Sequence, residues 1–268
     1  MRTSSTARAG TGLRISTFLV VAFLYAPLAV TVLYAFTTQT SAFTFPPPGL
    51  TTRWWGIAFR DSDLWSALRL SLTVALVATA LSIAIGGFLA AAVYRARFFG
   101  RNALAFVVVL PIALPGIVTG IALRSTFAQF DVPFGTTTLV IGHATFCIVI
   151  VYNNVVARLR RMSPNLAEAS SDLGASGWQT FRHVILPNLG SALLAGGILA
   201  FALSFDEIIV TTFVAGQQQP LPIYIFSILF RPRAKPVVNV VAMLAIAITF
   251  VPVLLAQLLT RDEGGRVR

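Results

Sequence analysis

Cysteine and lysine are almost absent from this 268-residue sequence, since each occurs once, as Cys147 and Lys235. A single cysteine excludes an intrachain disulfide and any metal site built from several cysteines. The lysine has no glycine-rich neighbourhood of the kind that forms a phosphate-binding loop. We therefore expect no cofactor in this chain, and no binding of ATP through such a loop.

Charged residues are also scarce, at 11% of the chain, whereas 56% is hydrophobic and the mean hydropathy is +0.82. A soluble domain of this length is more polar, so the expected solvent is a lipid bilayer. The formal net charge of +11 could indicate a nucleic-acid partner. The basic residues, however, lie between apolar stretches instead of forming one patch, which is typical of membrane topology signals.

Six apolar stretches are long enough to cross about 30 Å of hydrocarbon, which takes about 20 helical residues. We predict an all-α, polytopic membrane bundle with transmembrane helices at residues 15–36, 70–94, 103–123, 138–156, 191–214 and 237–259. The first stretch has 22 residues. The apolar part of a cleaved signal peptide has only about 7 to 15 residues, so we expect this stretch to stay in the protein.

The arginines predict the orientation of these helices. An even number of spans places both termini on one side, and with the termini in the cytoplasm that side carries thirteen of the 20 basic residues. This excess favours an N-in, C-in topology by the positive-inside rule. The cluster of Arg231, Arg233 and Lys235 on the outer side is the exception.

The spans divide the chain into parts with different expected roles. These are a basic cytoplasmic arm (1–14), the first transmembrane helix (15–36), an external loop (37–65), a core domain (66–262) and a cytoplasmic tail (263–268). Prolines and tryptophans in the external loop are typical of an irregular turn and an interfacial aromatic belt. The apolar stretch 221–230 is too short to cross and is predicted as a re-entrant or surface-lying helix.

Prolines and glycines interrupt the third predicted span, at Pro111, Pro115, Gly116 and Gly120. A proline inside a helix removes a backbone hydrogen bond and favours a kink or a break. Gly116 and Gly120 have the G-x-x-x-G spacing that lets two helices approach closely in a membrane. We therefore expect this stretch to be irregular and closely packed.

Two potential metal ligands, His143 and Cys147, lie four residues apart and hence on one helix face. Two ligands without a third are weak support for a metal, so no metal site is expected. The other histidine, His183, belongs to a predicted cytoplasmic loop. No Ser/His/Asp constellation emerges, which disfavours an enzyme.

The loop at residues 158–188 carries signals for two short helices. Ser163 and Pro164 favour the start of the first helix, and Gly174 favours its end. Ser176 and Gln179 have the spacing of a capping box for a second helix, whose far end we expect at Pro187. Such order exceeds what a linker needs and indicates a docking element. An apolar stripe on the first helix, formed by Leu166, Ala169 and Leu173, folds back on the bundle or faces a partner.

The same loop resembles a known motif. Its residues follow the pattern E-A-A-x3-G-x9-I-x-L-P of permease subunits of binding-protein-dependent ABC importers, with Ser170 and Val184 as mild departures. The resemblance implies a type I permease fold, a partner ATPase dimer that binds the ATP, a second homologous or identical permease, and an extracytoplasmic solute-binding protein. It also implies a role in coupling to the ATPase for Glu168, Ala169, Ser170, Asp172, Gly174, Leu186 and Pro187.

Asp206 and Glu207 stand inside the apolar fifth span. Each acid costs on the order of 2.5 to 3.5 kcal/mol at the centre of a membrane helix, so the pair calls for a reason. We predict one continuous helix in which the two side chains point about 100° apart, in the outer half of the bilayer. Another interpretation is a structural pair neutralised by an arginine such as Arg124.

Residues 204–207, Ser-Phe-Asp-Glu, resemble a segment of spermidine/putrescine permeases. A polyamine entering a dry cavity needs carboxylates and tolerates aromatic faces, so the resemblance implies Phe205, Asp206 and Glu207 as the substrate pathway. The expected function is polyamine import powered by the partner ATPase. Alternatives are an ABC permease for another small solute, and an autonomous cation channel or secondary carrier.

Overall fold

The computed structural model describes residues 11–40, 44–95, 99–163, 165–231 and 235–264. The described part is built from helices. In chain order these are α1 (Thr11–Ala35), α2 (Arg53–Arg60), α3 (Ser62–Arg95), α4 (Arg101–Ala113), α5 (Gly116–Gln129), α6 (Thr136–Leu159), α7 (Asn165–Asp172), α8 (Gly177–Thr180), α9 (Leu186–Asp206), α10 (Ile209–Val214), α11 (Leu221–Leu229) and α12 (Lys235–Gly264). A π-helical turn, Phe181–Ile185, lies between α8 and α9.

By length and composition, five helical segments among the described residues can cross a membrane, or six if α4 and α5 form one broken span. This agrees with the predicted all-α bundle of six spans. Between α4 and α5 the chain turns by 107°. Pro115 explains the break because it has no N–H to donate, and it disfavours the helical conformation at Leu114, which is extended with ψ 142.

The predicted close approach at Gly116 and Gly120 is present, and the neighbouring element is α10. A Cβ added to Gly116 would lie 3.5 Å from the Ile209 side chain. One added to Gly120 would overlap the Phe213 ring. The two glycines therefore let α5 and α10 pack backbone to side chain.

The prediction of one continuous helix over residues 191–214 was wrong. Helix α9 ends at Asp206, Glu207 is extended with φ −72 and ψ 114, and the chain resumes as the short α10. The residues from 208 to 212 are all β-branched, which weakens helix propensity. The Glu207 carboxylate also binds backbone N–H groups that a continuous helix would pair with carbonyls.

The prediction that Pro187 ends the second loop helix was also wrong. Helical structure runs from Gly177 to Asp206 without interruption. A proline in a regular helix removes one N–H and presses on the carbonyl four residues earlier. Here the wider π turn Phe181–Ile185 precedes it, and Leu186 N bonds to Phe181 O five residues earlier, so the helix accommodates the proline without a break.

The described part of the chain forms two compact units, the first from residues 1–61 with 227–246. Its loop after α1 is held by backbone hydrogen bonds, including Thr51 N to Phe36 O at 2.6 Å. Trp54 is 5% exposed and donates its indole N–H to Thr37 O at 2.7 Å. Trp55 lies 5.5 Å from the Phe36 ring. The tryptophans expected in an interfacial belt thus also hold this loop together.

The second unit comprises residues 62–226 and 247–268, and its core lies where α3, α6 and α9 pack together. Buried valines on α6 fill the centre, including Val149, Val151 and Val155, each with no exposed surface. Gly86 on α3 brings the two backbones together, since a Cβ there would lie 2.8 Å from the Ile148 carbonyl oxygen. These three helices form the closely packed core of the second unit.

Gly86→Ala should therefore destabilise the chain, because the added methyl meets backbone that cannot move aside. Overpacking of this kind typically costs about 1 to 3 kcal/mol. Gly190→Ala is the matched control, since a Cβ at Gly190 meets open space. In a helix that change is expected to be neutral or to stabilise by roughly 0.5 to 1 kcal/mol. Thermal unfolding of the purified chain in detergent measures both, and equal midpoints for the two variants would contradict the packing argument.

Candidate functional site

The loop between α6 and α9 folds as its capping signals predict. Helix α7 ends at Asp172, and Gly174 follows in the left-handed conformation with φ 80. The Ser176 hydroxyl accepts a hydrogen bond from Gln179 N, while the Gln179 side chain accepts one from Ser176 N at 2.7 Å. This reciprocal capping box starts α8. The predicted pair of helices joined at a glycine hinge is confirmed, although Pro164 lies outside the described residues.

Helix α7 presents its apolar stripe outward. Leu166 is 39% exposed, Leu173 is 89% exposed, and Ala169 between them is exposed as well. Glu168 and Asp172 are also exposed on this helix. Of the two alternatives for the stripe, the described chain therefore leaves it facing outward, available to a partner. We call the exposed side of α7 the coupling surface.

The coupling surface is tied to the rest of the chain through α8 and the π turn. Ser170 Oγ lies 3.0 Å from Thr180 Oγ1, which joins α7 to α8. The Phe181 ring stacks on Trp178 at 5.7 Å and on Phe88 of α3 at 6.3 Å. Because α8 continues through the π turn into α9, the loop leads directly into a candidate membrane span. Leu186 and Pro187 lie in that first turn of α9.

At the other end of α9, two carboxylates flank a break in the helix. Asp206 is its last residue and is exposed, whereas Glu207 is half-buried. The Glu207 Oε1 atom accepts hydrogen bonds from Ile209 N at 2.7 Å and from Val210 N at 3.0 Å. A carboxylate on the N–H groups at a helix start is stabilised by their partial positive charge. The Glu207 side chain therefore caps the start of α10.

Phe205 and Arg124 occupy places that their predicted roles did not anticipate. Phe205 is 3% exposed and stacks on Phe201 at 5.8 Å, inside the second unit. Arg124 donates from Nη1 to Phe213 O at 3.1 Å, and its guanidinium lies 5.1 Å from the Phe134 ring centre. The guanidinium is thus engaged by α10 and Phe134. The pathway role of Phe205 stays a prediction.

A buried polar cluster lies beside the break. His143 of α6 is 3% exposed, with Nδ1 at 2.8 Å from Ser204 Oγ and Nε2 at 2.8 Å from Thr211 Oγ1. Cys147, one turn further along α6, donates to Ala200 O at 3.3 Å. Among the described residues, no group of three or more His, Cys, Asp and Glu side chains could hold a metal ion.

The sequence matches the family of binding-protein-dependent transport system inner membrane components over residues 82–262. The chain belongs to this family. It is therefore a membrane transport permease subunit, and the family implies partner subunits that bind ATP and solute. The predicted resemblance, drawn from the loop motif, is confirmed.

Curated relatives cover almost the whole permease. The spermidine/putrescine permease protein PotC of Shigella flexneri is 32% identical over 254 residues, which is 93% of this chain and 95% of the relative. The putrescine permease protein PotI of Escherichia coli K12 is 33% identical over 255 residues, covering 92% and 90%. This chain is thus similar along its length to permeases named for polyamines.

Solved structures support the fold. A bacterial ABC transporter involved in the import of the polysaccharide alginate has a TM-score of 0.73 at 13% identity, with 94% of each chain covered. The MetNI methionine transporter has a TM-score of 0.61 at 16% identity and covers 80% of this chain and 99% of its own. At such identities the likeness establishes the ABC importer permease fold and says nothing about the substrate.

Sequence reasoning placed a membrane span over most of α9, but it missed the polar cluster between α6, α9 and α10. The partners of His143 lie 61 and 68 residues away, so no local spacing shows them. His143 was considered only as half of a metal pair with Cys147. A polar residue inside an apolar span was the available signal, since such residues need partners in a membrane.

The left-handed Gly174 gives a test of the coupling hinge. Left-handed conformation costs most residues roughly 1 to 2 kcal/mol, whereas asparagine adopts it more readily. We expect Gly174→Val to lower binding-protein-stimulated ATP hydrolysis of the assembled importer by about tenfold, a change that corresponds to 1.4 kcal/mol. Gly174→Asn, which also adds a side chain, should keep most of the activity. Equal rates for both variants would contradict a conformational requirement.

Proposed function

We propose that this permease imports polyamines such as spermidine and putrescine by alternating access, as one membrane subunit of an ATP-driven importer. The observation that carries the proposal is the pair Asp206 and Glu207 at a helix break inside an apolar span. Similarity of 32 to 33% identity to spermidine/putrescine and putrescine permeases over more than nine tenths of the chain supports it.

The chemistry of the pair fits a cationic substrate. A polyamine that leaves water needs negative partners, because an unpaired ammonium in a low-dielectric cavity is very costly. Asp206 is exposed, and the carboxylate of Glu207 is oriented by two backbone N–H groups. Phe205 keeps its proposed place in the pathway as an aromatic neighbour of the acids.

The coupling surface supplies the other half of the mechanism. We infer that Glu168, Ala169, Ser170, Asp172 and Gly174 dock on an ATPase subunit, one of a dimer that binds the ATP. A second, homologous or identical permease and an extracytoplasmic solute-binding protein complete the importer. The termini and the coupling surface lie in the cytoplasm in this proposal, and the acids lie toward the outer side, where a released substrate arrives. Closure of the ATPase pair would then shift the bundle from outward to inward facing.

Removal of either charge should abolish uptake without loss of assembly. Asp206→Asn and Glu207→Gln keep the shape of each side chain, and glutamine retains an oxygen that can accept from Ile209 N and Val210 N. We expect polyamine uptake to fall by at least about tenfold in each variant, because one ammonium loses its partner, a loss that exceeds 1.4 kcal/mol. Uptake of labelled putrescine and spermidine by reconstituted importer measures this.

Asp131→Asn is the matched control, because Asp131 is exposed in the turn after α5 and has φ 51, a conformation asparagine also adopts. It should leave uptake unchanged. Normal uptake in both the Asp206 and Glu207 variants would assign the acids a purely structural role and remove the substrate proposal.

The coupling surface can be tested by crosslinking. Ala169 is exposed on α7, and a cysteine there should crosslink to a cysteine on the ATPase at a yield that changes with ATP, because docking moves with the nucleotide state. A cysteine at Ala128, on the distant helix α5, is a control that should not crosslink. The native Cys147 is buried, so its background is small. An identical yield with and without ATP would rule out this surface as the moving contact.

A further inference from the structure

One imidazole joins the two sides of the helix break. Ser204 lies two residues before Asp206, and Thr211 lies four residues after Glu207. His143 contacts both hydroxyls at 2.8 Å from a position on α6. Each of the three side chains is buried, with Thr211 having no exposed surface. The ring therefore links α6 to the residues on both sides of the acidic pair.

The hydrogen bonds determine which ring nitrogen carries the proton. Thr211 Oγ1 donates its single hydrogen to Glu207 O at 2.5 Å, so toward the ring it can only accept. Nε2 must then be the protonated nitrogen of His143. In a neutral imidazole Nδ1 is consequently the acceptor, and Ser204 donates to it. A connected chain runs from Ser204 through His143 and Thr211 to the backbone of Glu207.

We propose that His143 is a positioning residue for transport, in its neutral Nε2–H form, which fixes the direction of Asp206 and Glu207 by clamping the break that carries them. The proposal rests on the function proposed above for that pair. The hydrogen bonds of the break itself, from the Glu207 carboxylate and the Thr211 hydroxyl, tie Glu207 to α10 and do not reach back to α9. A substrate site needs its charged groups held to a fraction of an ångström, and the bridge supplies that restraint.

Cys147 shows what distinguishes positioning from mere packing. Its thiol also links α6 to α9, but it does so through Ala200 O, before the break, and makes no link to α10. A residue that only fills the core would act as Cys147 does. His143 differs because it binds both sides of the break.

The test compares import with ATP hydrolysis in the complete reconstituted importer, with binding protein loaded with putrescine or spermidine. The ratio of polyamine imported to ATP hydrolysed does not depend on how much protein assembled. In His143→Ala we expect this ratio to fall by about tenfold or more, because misplaced acids fail to accept the substrate, while stimulated hydrolysis per complex stays within about twofold. Ser204→Ala and Thr211→Val each remove one end of the bridge and should lower the ratio in the same direction.

The control is Cys147→Ala, which should leave the ratio unchanged. A fall in import and hydrolysis in equal proportion for His143→Ala would show a purely structural role and overturn the proposal. The proposal for His143 is also overturned if His143→Ala leaves the ratio unchanged while Asp206→Asn lowers it. In that case the function proposed for the acids is retained. If Asp206→Asn itself keeps the wild-type ratio, the function proposed for the acids fails first.

A second measurement covers the case in which His143→Ala does not assemble. The chain has two histidines, so nitrogen-15 labelling of its histidines gives two ring signals in membranes, and His183→Asn identifies which belongs to His143. The expected spectrum has Nε2 protonated and Nδ1 bare. A ring protonated at Nδ1 instead would contradict the bridge.

Discussion

Inside a bilayer, no water is present to bond a backbone N–H or carbonyl that the chain leaves unpaired, and each such group costs several kcal/mol. Every departure from a regular helix within a span must therefore supply its own partners. In this permease the departure at Asp206 and Glu207 does so with a carboxylate on two N–H groups and a hydroxyl on a carbonyl. The position of Glu207 therefore follows from this requirement, whatever the substrate.

The same arrangement keeps the site negative. An ion pair with Arg124 would have satisfied one acid and cancelled its charge, leaving less to attract a cation. The Glu207 carboxylate is bonded by backbone amides instead, and the Arg124 guanidinium is held by Phe213 O and the Phe134 ring. A single carboxylate thus shapes the backbone and stays available as a counter-charge.

The sequence predicted the spans and the coupling loop because their signals are local. Apolar length, the glycine at 174 and the pair Ser176 and Gln179 each act within a few residues. It failed where two weak local effects had to be compared, as at Pro187, or where distant residues meet, as at His143. The end of α9 at Asp206 is another case of competing local effects. The apolar pattern continues past this residue, whereas β-branched residues and the Glu207 cap favour a helix end.

The correction at Pro187 changes how the two ends of the site are connected. With a helix end there, motion at the coupling surface would have to cross a flexible joint before reaching the membrane. Instead α8 runs through the π turn into α9. The 21 residues of α9, at about 1.5 Å rise each, make a continuous helix roughly 30 Å long that ends at Asp206. The stack of Trp178, Phe181 and Phe88 supports the turn against α3. In the proposed mechanism such a helix transmits movement as one body to the break beyond Asp206, where His143 holds the end of α9 and the start of α10 together.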